Sequence, residues 1–110
     1  MYDFDLLKNE KIKKIIDDVL VYNDNKLYSF IITNKRILIL DYPSGYHNSM
    51  EDLRMSGKIN YVRMKEIILA KKIEDIKEIS NEKNIIRFKD NSFIEIDNSR
   101  VCAELMKVVK

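Results

Sequence analysis

Glycine occurs twice, proline, cysteine and histidine once each, and tryptophan not at all in these 110 residues. Each scarcity removes a class of chemistry. The single cysteine, Cys102, excludes an internal disulfide and fits a reducing compartment. One histidine and one cysteine far apart in sequence offer no metal-ligand spacing. Gly45 and Gly57 are too far apart to build a phosphate-cradling loop, and no Gly-x-Ser-x-Gly elbow is present. No apolar run exceeds four residues, far below the roughly 20 that a bilayer-crossing helix needs. Met1-Tyr2-Asp3-Phe4-Asp5 carries acid where a signal peptide needs positive charge. A dominant charge sign is missing too: 20 basic against 18 acidic residues argue against a nucleic-acid binder, which needs a basic stripe. Tyr28 and Phe30 alternate as a stacking platform would, but no cation shares their strand positions. The expectation is a cytoplasmic protein without cofactor, metal or small-molecule substrate, and not an enzyme.

What is present is globular. Hydrophobic residues make up 45% and charged residues 35% of the chain, enough for one core and a solvated surface, so residues 1–110 read as a single domain. The strongest local signal is Ser29 to Leu40. Two β-branched apolar runs flank Thr33-Asn34-Lys35-Arg36, polar residues suited to a tight reversal, and this predicts a hairpin. Ile37-Leu38-Ile39-Leu40 is apolar on both faces, so one face fills a core and the other needs a cover.

Residues 5–22 are ambiguous. Ile12, Ile15, Ile16, Val19 and Leu20 follow helical spacing, yet Val19 to Tyr22 is β-prone and precedes the turn cluster Asn23-Asp24-Asn25. The reading adopted is a short helix over Asp5 to Glu10 and a strand from about Ile12 to Tyr22.

Residues 42–58 hold the only proline, both glycines and His47, and mark a long inserted loop. Ile59 to Leu69 resumes a β-capable run. Lys71 to Ile76 reads as one turn, followed by an extended segment. Ile85 to Phe88 pairs with Phe93 to Ile96, with Ile86, Phe88, Ile94 and Ile96 on the inner face and Arg87 and Glu95 outward. Residues 98–110 close the chain as a helix: Asn98 or Ser99 caps it, and Val101, Leu105, Val108 and Val109 form its apolar stripe.

Apolar strand, Thr, small polar residue, basic pair and second apolar strand, here Ile31-Ile32-Thr33-Asn34-Lys35-Arg36-Ile37-Leu38-Ile39, is a recurring signature. In this respect the chain resembles the bacterial pleckstrin-homology-like (PH-like) domains and their GRAM relatives. Ile73, Ile76 and Ile79 before the final hairpin, and the closing helix, add to the likeness. The resemblance implies an α+β fold: a half-open antiparallel β-barrel of about seven strands, closed by a C-terminal amphipathic helix and preceded by a short N-terminal helical segment. It also implies a scaffold that binds lipid headgroups, peptides or partner subunits, not a catalyst. Phosphoinositide-binding members use a basic first hairpin. Here that place holds Tyr22-Asn23-Asp24-Asn25-Lys26-Leu27-Tyr28, and one Lys beside an Asp cannot supply the cation cluster a polyphosphate needs.

Candidate sites follow from residue type. His47 is the one group suited to proton transfer near neutral pH, but with nothing to fix a triad it reads as a solvated loop histidine. Cys102 could be activated by the helix dipole, but a small buried residue is the plainer reading. Lys35 and Arg36 form the best positive spot, with Lys11, Lys13, Lys14, Lys71 and Lys72 as neighbours if the fold gathers them. Tyr42, Tyr46, Met50, Leu53 and Met55 are large apolar groups in a surface-like loop, suited to a partner or to covering the outer face of Ile37–Leu40. The functional expectation is a module that engages a protein partner or associates with itself. Its alternative is peripheral binding to anionic membrane lipid through the hairpin tip.

Overall fold

A computed structural model describes residues 2–42 and 65–109. Among the described residues lie eight strands: β1 (Tyr2–Asp3), β2 (Ile12–Val21), β3 (Lys26–Thr33), β4 (Arg36–Asp41), β5 (Lys65–Lys72), β6 (Ile76–Ser80), β7 (Ile85–Phe88) and β8 (Phe93–Glu95). A 3-10 turn over Ile73–Asp75 links β5 to β6, and helix α1 (Ser99–Val109) ends the described chain. The fold is α+β. One sheet runs β1-β5-β4-β3-β2 and the other β6-β7-β8. All pairings are antiparallel except β1, which lies parallel to β5. The sheets meet at one corner, where Val21 bridges Ile96 and the Tyr22 N–H donates to the Glu95 carbonyl at 2.8 Å. No other ladder joins them among the described residues, so the barrel is not closed.

Bulges explain the ambiguous stretch at residues 12–20. Ile16 pairs with Phe30 and Val19 with Tyr28, so Asp17 and Asp18 together oppose Ser29 alone. The extra residue restores the inward direction after three positions instead of two, and a bulged strand then reads like a helix. Asp18 takes the left-handed conformation at the bulge, with φ 57°. In β6, a register shift between Ile76 and Glu78 has the same effect on Ile76 and Ile79, which both pack against the main core.

Asparagine does here what glycine does in most chains. Among the described residues, four of the five non-glycine residues with positive φ are asparagines: Asn9, Asn25, Asn84 and Asn91. Each sits at a turn, where its short polar side chain tolerates the left-handed region. Asn25, at φ 60°, closes the β2–β3 turn with its N–H on the Val21 carbonyl at 2.8 Å. Asn25→Ala is therefore expected to cost about 1 kcal/mol in urea unfolding, and Asn25→Gly close to nothing. Equal losses from the two variants would contradict the conformational reason.

The main core fills the space between the sheets and beneath α1, with Phe30, Ile32, Ile37, Ile86, Phe88, Ile96, Val101 and Leu105 among its buried residues. The opposite face of β3 and β4 carries a second cluster of Ile31, Leu38 and Leu40, against which Phe4 and Ile67 pack. The cover that the doubly apolar β4 demanded thus includes the N-terminal segment. That segment is not the expected helix. Residues 4–7 have no regular structure, and the Glu10 N–H closes a turn onto the Leu7 carbonyl at 3.0 Å. Asn9 sits at φ 62°, outside helical geometry. At the other end Asn98 caps α1, accepting from the Arg100 N–H at 2.9 Å.

Candidate functional site

The Thr33–Arg36 reversal forms as the sequence predicts; Arg36 turns inward, while Lys35 stays exposed. The Thr33 hydroxyl oxygen accepts from the Lys35 and Arg36 N–H groups at 3.1 and 2.9 Å and donates to Glu10 Oε2 at 2.6 Å. Arg36 grips Glu10 with two bonds, Nε to Oε2 at 2.8 Å and Nη2 to Oε1 at 3.0 Å, and reaches the Asp5 carbonyl at 2.8 Å. The Leu7 N–H adds another bond to Glu10 Oε1 at 2.8 Å. The Glu10 side chain is fully buried. Burial alone would push its carboxyl up, but the bonds from Arg36, Thr33 and Leu7 outweigh that and hold it at about 2. Lys35 Nζ donates to the Lys8 carbonyl, and Asn34 bonds Lys11 and Asn9. The tip is thus a clasp on residues 5–11, and Arg36 is spent on it.

Several of the neighbouring lysines lie beside the tip: Lys72 pairs with Arg36 across β4 and β5, and the Lys11 N–H donates to Asn34. Acids, however, stand among them. Lys71 pairs with Asp90 at 2.9 Å and lies over the Phe88 ring; the Ser92 hydroxyl, and then Lys71, hold Asp90 well below the usual carboxylate range. Lys72 lies 3.9 Å from Glu74. Lys13 shares a surface hollow of about 430 Å³ with Asn34, Glu104 and Lys107, a mixed-charge surface.

Tyr42 follows β4, half-buried, with Lys65 Nζ 5.2 Å from its ring centre. Lys65 also donates to Ser29 Oγ at 2.6 Å, and that hydroxyl donates to Asp17 at 2.6 Å. A serine between a lysine and a carboxylate has the parts of a nucleophilic site. Ser29 is wholly buried within β3, however, so its Oγ faces no substrate and the trio satisfies a buried hydroxyl instead. Tyr46, Met50, Leu53 and Met55, with His47, lie outside the described residues. Cys102 is buried in the core, and burial pushes its thiol up, away from reactivity. Among the described residues no cluster of metal-ligating side chains occurs, and no helix is long and apolar enough to cross a membrane.

The surface best built for contact is one the residue types did not single out. β6 ends its sheet, and among the described residues no strand pairs with its outer edge. Beside it, Ile76, Ile79, Met106 and Val109 line a groove of about 290 Å³ between β6 and α1, together with Lys77 and Glu78. Met106 and Val109 are 43% and 42% exposed, too much for a face that only seals a core. The signal was legible in hindsight. Cys102, Met106 and Val109 form a second apolar stripe beside Val101, Leu105 and Val108, wider than one packed face requires.

Comparison with family models, with curated proteins and with solved structures finds no match to this chain.

Proposed function

We propose that this is a PH-like, non-catalytic binding module that takes an extended segment of a partner protein as an added strand on β6. The observation that carries the reading is the coincidence of an open strand edge with an apolar groove. The edge supplies main-chain donors and acceptors, which give affinity with little regard to sequence. The groove takes alternate side chains of the added strand, which gives specificity. The PH-like assignment draws support from element order: four antiparallel strands β2–β5, three more in β6–β8, then a helix. Lys77 and Glu78, exposed on β6, favour a partner strand with opposite charges facing them.

Selection from a random peptide library is the test. The expected result is enrichment of extended peptides with apolar residues at alternate positions, shifting amide resonances of 76–80 and 99–109. Ile79→Glu and Met106→Glu are each expected to weaken such a peptide at least tenfold, since each buries a charge in the groove. Peptides that map elsewhere, or no enrichment over a scrambled library, would refute the reading. A dimer in sedimentation that Ile79→Glu converts to monomer would give the same edge to self-association.

A further inference from the structure

A second concavity lies at the end of the core on which α1 does not sit. It measures about 220 Å³, and none of its lining residues belongs to β6 or α1, so it is separate from the groove above. Tyr28, Ile39, Leu69 and Ile94 form its walls, contributed by both sheets. The rim is unusual. Leu69 pairs with Ile39 and Ile67 with Leu40, which leaves Ile68 as the bulged residue of β5. Ile68 and Phe93 line the mouth while 51% and 45% exposed, so two large apolar groups stand in water at its edge. Bulges at a barrel rim commonly re-aim a side chain toward a site.

The polar groups lining this concavity are few: Asn23, Asp24 and the Tyr28 hydroxyl. Asp24, on the β2–β3 turn, accepts from the Tyr28 hydroxyl. Burial, and then Asp24 itself, push the Tyr28 phenol up to about 12, so it stays a donor to that carboxylate. No cation lies within ion-pair distance of Asp24 among the described residues. Arg87, across the β7–β8 pair from Phe93, is stacked on that ring, its Cζ 5.7 Å from the ring centre. Asn23 also lines the mouth, but its amide is occupied, donating to the Phe93 carbonyl and accepting from the Glu95 N–H. An apolar cavity whose entrance carries a carboxylate with no described cation paired to it suits an apolar body carrying a positive head. A cavity of about 150 Å³ accommodates benzene, so this one has room for a ring and a short chain.

We propose that the open end between the two sheets binds a small hydrophobic ammonium ion, an arylalkyl or alkyl amine whose ammonium pairs with Asp24. Where the resemblance places anionic headgroups, this chain thus selects the opposite charge.

The test is an amide-resonance titration with phenylethylammonium chloride. 2-Phenylethanol serves as the neutral isostere, 3-phenylpropionate as the anion, and Nα-acetyl-lysine methylamide as a stand-in for a partner's lysine. The ammonium is expected to shift residues 21–28, 68–69 and 93–94 and to bind about tenfold tighter than the alcohol, with the anion weakest. The lysine derivative, lacking a ring, is expected to bind more weakly than phenylethylammonium. Asp24→Asn, conservative at an exposed turn, should bring ammonium and alcohol to equal affinity without changing the alcohol. The proposal is overturned by an alcohol that binds as tightly as the ammonium in the unaltered protein, or by a lysine derivative that binds tighter. Shifts confined to other residues, or none up to about 10 mM ligand, would overturn it equally. The wild-type comparison stands even if the variant misfolds.

Discussion

A chain ending after Ser99 is expected to show no cooperative thermal transition. The reason is how much of the core α1 supplies. Val101, Cys102 and Leu105 are fully buried, and Val108 packs against the same cluster. Burying an aliphatic side chain of this kind contributes roughly 1.5–3 kcal/mol, so together they are comparable with the ~5–15 kcal/mol by which a domain is stable. Removing the helix also uncovers the buried core residues with which it clusters, Ile86 and Phe88 among them. Calorimetry is the measurement, and a sharp, native-like endotherm from the truncated chain would contradict the prediction. A milder variant grades the effect. Leu105→Ala should cost about 2–5 kcal/mol in urea with an unchanged slope, because it leaves a cavity and not an unfolded segment.

The Glu10–Arg36 pair is expected to give the largest loss from one polar substitution. With the Glu10 side chain fully buried and Arg36 14% exposed, removing either partner leaves the other charge with little water. Arg36→Met should therefore destabilise by about 3 kcal/mol, toward the low end for buried pairs. Joint replacement, Glu10→Met with Arg36→Met, should recover much of that, since an apolar pair leaves no stranded charge. Additive losses in the double variant would show that the two residues act independently. The same pair predicts acid sensitivity. Folding lowers the Glu10 carboxyl from 4.5 to about 2, so as pH falls the unfolded chain takes up the proton first. The stability that Glu10 contributes is complete above pH 4.5 and drains away as pH falls from there toward 2. Denaturation midpoints over that range should fall more steeply for the unaltered protein than for Glu10→Gln. Parallel curves would remove Glu10 as the cause.

The local elements were largely legible because alternation and turn chemistry act over short distances. Ser29 to Leu40 reads as a hairpin from its own residues, and β7, β8 and α1 fall within a residue or two of their expected ends. The strand at 12–22 was harder, since its bulge at Asp17–Asp18 spaces Ile16 and Val19 as a helix would. The segment from Asp5 to Glu10 was misread for a different reason. Its conformation is held by Arg36, Thr33 and Asn34, more than twenty residues away, and no helical or extended propensity encodes that. Lys35 and Arg36 illustrate the same limit at the candidate site. Residue type marked them as a positive patch, but the acid that engages Arg36 is fixed by how the N-terminal segment lies against the tip.

From its sequence alone, the chain has its strand and helix periodicities, its asparagine-bearing turns, a single cysteine that rules out an internal disulfide, and an α+β character. These depend on neighbours within one strand, turn or helical face. Tertiary structure alone decided which strand edge stays open at β6, that Met106 and Val109 flank it, and that Asp24 meets Tyr28 at an apolar mouth. Those arrangements join residues from separate elements, through register shifts and a sheet corner whose positions only the assembled core can set.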